Sequence, residues 1–390
     1  LCVIIALVYA ILSGFWGVVV TDLVQFVIAM FGSIALAIIA LSYVGGMEVL
    51  LSKLNELLGS DVVTDNTLKF IPPIPDTGVA TQTFWESPFS KFLIFISVMW
   101  WSHHGTDGGG YIIQRMSSAK NERHALLATL WFNIAHYALR VWPWIIVAVV
   151  SIVMFPIIPS EYSELGVKAG YPLVMNTLLG PGLKGILIVS FLAAFMSTID
   201  THLNWGVSYL INDIYKRFFK PNETERHYVL VGKIMTVILM ILAAFTALKM
   251  QSISKAWEFI FAMGAGIGLV LILRWFWWRV NAWSEITALA TSIVITISFE
   301  IIAYFQTINN NLEYSLFGSA PSIFGMSLQV HHKLMIIVPI AIIAWVTVTF
   351  FTEPEPMTKL ESFYKRVQPG GWWGPVTSSF DHTLQPVTKG

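Results

Sequence analysis

The sequence predicts an all-α, polytopic membrane protein, and three observations predict it. Charged residues make up 12% of the 390 and hydrophobic ones 56%, where a soluble domain carries about 25% charged residues. The apolar residues lie in long runs, such as 18–41, 183–196, 234–248 and 334–351, close to the ~20 residues that cross a ~30 Å hydrocarbon core. The connections between runs alternate between rich and poor in arginine, the pattern of loops on opposite sides of a bilayer.

The candidate spans are 1–13 (partial), 17–42, 91–116, 123–155, 183–215, 228–249, 255–278, 284–306 and 333–352, with a further short helix over 167–179. The chain begins at Leu1 inside an apolar run, without Met or a signal peptide, so upstream helices are expected to precede it. One set of connections holds Arg115, Lys120 and Arg123, then Lys216, Arg217, Lys220 and Arg226, then Arg274 and Arg279, then Lys359, Lys365, Arg366 and Lys389. It contains every loop arginine and is assigned to the cytoplasm, which leaves 43–90, 157–182 and 307–332 outside. Residues 1–352 are expected to form the transmembrane domain of a plasma-membrane protein. Residues 353–390, polar and rich in Pro and Gly, are expected as a cytoplasmic, partly disordered C-terminal tail. Net charge is zero and by itself points to no class of partner; for a membrane protein of this kind no nucleic-acid partner is expected. The single cysteine, Cys2, excludes an internal disulfide framework and a cysteine-rich metal site.

An Asp or Arg at the centre of a spanning helix costs about 2.5–3.5 kcal/mol on insertion scales. Asp22, Asp107, Arg140 and Asp200 all fall within spans, so each requires a partner, water or an ion. In 183–215, Ser197, Asp200, Thr201, Asn204 and Ser208 follow i, i+3, i+4, i+7, i+11, which is one helix face centred near the bilayer midplane. Hydroxyls and a carboxylate are hard ligands of the kind small cations need. The alternative is a helix–helix contact joined by hydroxyl hydrogen bonds. Asp22, with Gln25 on its face, either caps or snorkels near the cytoplasmic end of 17–42, or faces Asp200 across a shared cation.

Residues 99–115 read MWWSHHGTDGGGYIIQR. Gly105 and Gly108–Gly110 predict an interrupted helix, the sequence pointer to a transporter's solute site. Trp100, Trp101 and Tyr111 offer stacking faces. His103, His104 and Asp107 suit a transition metal by residue type, but their spacing matches no metal motif. Packing aromatics and a satisfied histidine pair are the alternative. Arg140, one turn before Pro143, is expected to pair with Asp107 or with a carbonyl freed by the proline. Trp275, Trp277, Trp278 and Trp283, beside Arg274 and Arg279, read as an interfacial belt.

The segments GFWGVVVTDLVQFVIAM (14–30), GGYIIQRMSSAK (109–120), FLAAFMSTIDTHLNWGVSYLINDIYKRF (191–218) and LRWFWWRVNAWSEI (273–286) resemble the sodium:solute symporter family, the group of sodium–glucose cotransporters. The resemblance runs from residue 1 to about 306. It implies a leucine-transporter-type fold of two inverted five-helix repeats. Residues 1–42 would end the first repeat, 91–278 would form the second, and extra helices would follow. It also implies symport of a small organic solute across the lipid bilayer, with Na+ as coupling ion, no other cofactor, no transition metal and no catalytic residue.

Carried over by position, the family's common sodium site uses the Ala194 carbonyl and the side chains of Ser197 and Thr198. Its remaining ligands would come from the upstream broken helix. A second sodium site would use Asp22, Ser197, Asp200 and Thr201, with Asp200 standing where a hydroxyl is usual. Tyr111 matches an aromatic that gates the solute site from inside. Together with Trp101, His104 and Asp107, the positions Gly109, Asn133 and Phe261 make up the expected solute cavity. Sugar carriers place an amide, an amine and an amide at the last three positions. None is kept here, so glucose-like recognition is not implied. Two other classes stand beside symport: a transporter-like solute sensor, and a membrane metal enzyme centred on His103, His104 and Asp107. Residues 353–390 are not expected to form a signalling domain.

Overall fold

The computed structural model describes residues 15–58, 71–74, 81–103, 105–106, 109–163, 165–250, 252–310, 317, 321–323 and 326–378. The expected partial span 1–13 lies outside them, as do His104, Asp107 and residues 379–390. Among the described residues seven helices are long and apolar enough to cross a membrane: Asp22–Val44, Glu122–Met154, Pro181–Phe219, Glu225–Lys249, Ile253–Phe276, Ala282–Asn309 and Val330–Phe351. Each matches an expected span to within a few residues. Their outward faces carry large exposed apolar side chains such as Leu23, Phe31, Leu126, Ile241 and Ile343, as helices solvated by lipid do.

The expected span 91–116 is interrupted, as its glycines predict. An α-helix over Pro88–Ile94 passes into a π-helical turn, Phe95–Met99, and a last turn, Trp100–Ser102, before a new helix starts at Gly109. Gly109 itself has φ +61°, a left-handed backbone that a side chain would strain. A second interruption departs from the continuous span expected over 255–278. The span from Ile253 breaks after Met263 and restarts at Gly268, in the sequence MGAGIG, which carries the same glycine signal.

The chain forms two compact units. In the first, the Phe15–Val44 helix packs on Pro181–Tyr209 and Val141–Met154 around Leu36, Ala40, Val147, Val150 and Leu187. Gly32 lets Leu187 approach; a Cβ there would stand 2.9 Å from the Leu187 Cδ2. Small residues at such contacts replace the hydrophobic drive that lipid removes. Trp144 Nε1 donates to Ser33 Oγ at 3.1 Å one residue on. The loop after Val44 holds an unexpected amphipathic helix, Met47–Leu58, which buries Leu50 and Leu54 in the same core. The short helix expected over 167–179 is present as Gly170–Leu178.

In the second unit Ala282–Asn309 and Val330–Phe351 run antiparallel. Ser284 Oγ lies 2.6 Å from Thr349 Oγ1 at one end, and Lys333 Nζ lies 3.5 Å from Glu300 Oε1 at the other. Gly268 abuts the Trp101 carbonyl and the Ser102 backbone, so the two interrupted helices meet at their breaks. The tail expected to be partly disordered is folded over its described part, 353–378. Residues Met357–Val367 form a helix, and Leu360, Trp373 and Val376 bury themselves with Trp278, Phe363 and Tyr364. Trp372 N donates to Phe276 O at 2.6 Å, and Trp278 N donates to Trp372 O at 3.4 Å. The tryptophan belt is thus partly a docking surface for the tail.

Candidate cation site in the first unit

The polar stripe of the Pro181–Tyr209 helix meets Asp22 of the Phe15–Val44 helix. Ser197 Oγ donates to Asp22 Oδ1 at 2.5 Å. The Gly32–Leu187 contact fixes the register. From Asp22 to Gly32 and from Leu187 to Ser197 are both ten residues, about 15 Å at 1.5 Å per residue, in opposite chain directions. The two helices are therefore antiparallel, and Ser197 arrives opposite Asp22 because Gly32 and Leu187 lock one and a half nanometres away.

The second oxygen of Asp22 faces Arg115, which the charge pattern counts among the cytoplasmic connections. Arg115 Nη2 lies 3.8 Å from Asp22 Oδ2 and 3.5 Å from Thr201 Oγ1. Ser197 and Thr201, one turn apart on one face, therefore bracket the Asp22–Arg115 pair. Arg115 and Asp22 are each 28% exposed, so the pair is only partly dried. Arg115 stands inside the YIIQR segment, four residues after Tyr111. That place on the restarted helix, rather than in a free connection, was the available signal. Gln25 Oε1, one turn along from Asp22, is buried without a hydrogen-bond partner among the described residues. It is an oxygen still able to accept.

Asp200 is fully buried, and its Oδ1 accepts from Asn204 Nδ2 at 2.8 Å. Thr201 is buried beside it. Thr198 Oγ1 donates to Ala194 O at 2.8 Å, so two candidate ligands of the common site currently satisfy each other.

The expected solute-cavity residues fall as follows. Trp101 Nε1 donates to Ser97 O at 2.7 Å. Thr106 Oγ1 donates to the Trp101 and His103 carbonyls at 2.9 and 2.6 Å, capping groups that the break sets free. His103 Nδ1 accepts from Gly105 N at 2.9 Å, and its ring stands edge-on to Phe261 at 5.9 Å. Trp101, Gly109, Tyr111 and Phe261 belong to the second unit, and Asn133 to the first. Asn133 Nδ2 donates to Thr129 O at 2.8 Å. His104 and Asp107 are outside the described residues, and so is the Tyr111 side chain. The expected partner of Arg140, Asp107, lies outside the described residues; within them Arg140 Nη2 lies 3.4 Å from His136 Nε2, and its guanidinium stacks over Trp144 at 5.6 Å. A π-helical turn, Ile134–Leu139, brings that histidine one turn below it. Pro143, which lacks an N–H, stands just past that turn.

Comparison with known proteins decides the family. The model of the sodium:solute symporter family matches residues 1–295. The chain belongs to that family. Among the relatives of this family member are Sodium/glucose cotransporter 1 of Oryctolagus cuniculus, 25% identical over 376 residues, with 89% of this chain and 55% of that protein covered. The osmoregulated proline transporter OpuE of Bacillus subtilis (strain 168) is 23% identical over 309 residues, covering 75% of this chain and 56% of its own. The chain thus spans about half the length of the curated relatives it matches. A solved structure, the substrate-bound outward-open state of a Na+-coupled sialic acid symporter, aligns with a TM-score of 0.57 at 17% identity, covering 90% of this chain and 66% of that one. That likeness is one of fold, and the fold is of the leucine-transporter type. The family consists of transporters rather than enzymes, which removes the metal-enzyme reading of His103, His104 and Asp107.

Proposed function

We propose that the protein performs sodium-coupled secondary active symport of a small organic solute by alternating access. The observation that carries this reading is the cluster of Asp22, Ser197, Thr201 and Arg115 between spanning helices. A carboxylate and hydroxyls are hard oxygen donors that suit Na+, and the same carboxylate already holds a cation, the guanidinium of Arg115. Sodium arriving at Asp22 competes with a tethered charge. Its binding therefore frees the Gly109–Ser117 helix, which carries Arg115 and begins at the break. Ion occupancy and the position of an interrupted helix are thereby linked.

Ala194 O, Ser197 and Thr198 make up this chain's share of the common sodium site. Ser197 serves both sites, so filling one alters the other. Asp200, buried beside Thr201, adds charge to the second. Trp101, His104, Asp107, Gly109, Tyr111, Asn133 and Phe261 form the solute cavity in this reading. The protein is placed in the plasma membrane with residues 353–390 on the cytoplasmic side, supported by the arginine-rich connections. The relatives' names direct the solute search towards hexoses, proline and sialic acid.

The test is uptake into proteoliposomes of labelled hexose, proline, sialic acid and small carboxylates, driven by an inward Na+ gradient. Accumulation that requires Na+ and falls to background in Ser197→Ala and Asp200→Ala, at unchanged protein level, is the expected result. Uptake that persists equally with K+ in place of Na+ would overturn the reading.

A further inference from the structure

The second unit contains a cavity that the proposed transport cycle does not use. It has a volume of about 680 Å³ and lies between the starts of three helices. Its apolar walls include Phe92, Ile94, Phe95, Met99 and Leu334, its charged and titratable groups are Lys91, Lys255, Glu258 and His331, and Ser327 and Gln329 add two neutral polar groups. The charges on that rim do not cancel. Lys255 Nζ holds Glu258 Oε2 at 2.9 Å, which makes those two a neutral pair. His331 and His332 both place Nε2 on the Trp85 carbonyl, at 2.9 and 3.2 Å, which fixes the His331 ring at the cavity wall. Lys333, the next residue on that helix, is consumed by Glu300. Lys91 is exposed, and its ammonium group has no ion pair or hydrogen bond among the described residues. One unpaired cation therefore stands over a mostly apolar cavity large enough for a small organic ligand.

We propose that this cavity binds an amphiphilic anion, with a carboxylate or phosphate head at Lys91 and an apolar body against Phe92, Phe95, Met99 and Leu334. A fully polar anion would leave the apolar walls wet, and a neutral hydrocarbon would leave Lys91 unpaired. Only a molecule with both parts satisfies both features. Such a head can come from a free fatty-acid-like carboxylate or from the headgroup of an anionic lipid.

The experiment is thermal unfolding of the protein in phosphatidylcholine nanodiscs, with decanoate below its micellar concentration as probe and decanol as the uncharged control. Decanoate is expected to raise Tm by several degrees through preferential binding to the folded state, with decanol without effect and the shift lost in Lys91→Glu. His331→Ala, which removes the fixed ring from the wall, is expected to reduce the shift. Because Lys91 is exposed and unpaired, its variant leaves folding intact and keeps the test decisive if His331→Ala folds poorly. A rise in Tm on adding phosphatidylglycerol to the discs, lost in Lys91→Glu and leaving decanoate no further effect, assigns the site to a lipid headgroup. No shift with either anion overturns the proposal. So does a shift that decanol reproduces, or one that Lys91→Glu retains.

Discussion

Arg115 Nη2 stands 3.8 Å from Asp22 Oδ2, while Ser197 Oγ holds the other oxygen of the same carboxylate at 2.5 Å. One carboxylate thus joins three separate helices, and its charge is shared between a fixed cation and a hydroxyl.

Asp22→Asn keeps an oxygen for Ser197 and removes the charge. The Na+ concentration giving half-maximal uptake is expected to rise by at least about tenfold, a difference near 1.4 kcal/mol. Sodium-activation curves of uptake check this; an unchanged curve places the coupling ion elsewhere.

Arg115→Gln takes away the tethered competitor and leaves a side chain able to reach Thr201. Half-maximal Na+ is expected to fall roughly three- to tenfold, up to about 1.4 kcal/mol, with a lower maximal rate because the Gly109–Ser117 helix loses its anchor. A higher Na+ requirement instead would make Arg115 a support of the site rather than a rival for it.

Gly268→Ala puts a Cβ into the Trp101 carbonyl, which is backbone and cannot turn aside. Gly32→Ala meets only the flexible end of Leu187. Overpacking costs of about 1–3 kcal/mol are expected for the first and little for the second. Denaturation in detergent should therefore rank Gly268→Ala well below Gly32→Ala.

Glu300 and Lys333 are paired at 3.5 Å with side chains only 12% and 11% exposed. Removing one partner alone, as Glu300→Gln or Lys333→Met, is expected to cost about 3–5 kcal/mol by stranding the other charge. The double variant should recover most of that loss. Equal losses in the singles and the double would mean that packing, not charge, holds these two helices.

Helix positions were legible because lipid demands long apolar runs, and all seven spans followed from that alone. The break at Gly105–Gly109 was legible for the same reason, since glycines are costly inside a helix. The break at Gly264–Gly268 carries the same sign and was hidden by the strongly apolar residues around it. Polar residues in spans pointed to Asp22 and Ser197 separately, and the family resemblance alone joined them in one expected site. Their meeting depends on the Gly32–Leu187 register, which no single-sequence pattern encodes. Arg115 was assigned to a connection because counting loop charges treats every arginine near a span end alike. The folded tail was hidden because a composition rich in Pro, Gly and charge resembles disorder, while its tryptophans act only through partners almost a hundred residues earlier.

Those partners have a mechanical consequence. Residue 372 exchanges backbone hydrogen bonds with 276 and 278, and Trp373, 4% exposed, donates through its indole to Trp275 O at 3.1 Å. The Gly268–Phe276 helix is therefore spliced to the Met357–Val367 helix into one stiff arm, and the nearest elbow is the four-residue turn at 264–267. Any tilt at that elbow swings the arm as a whole. The segment that composition marks as a loose appendage thus adds length to an interrupted helix, and shortening the chain before residue 372 would cut the lever rather than trim an end.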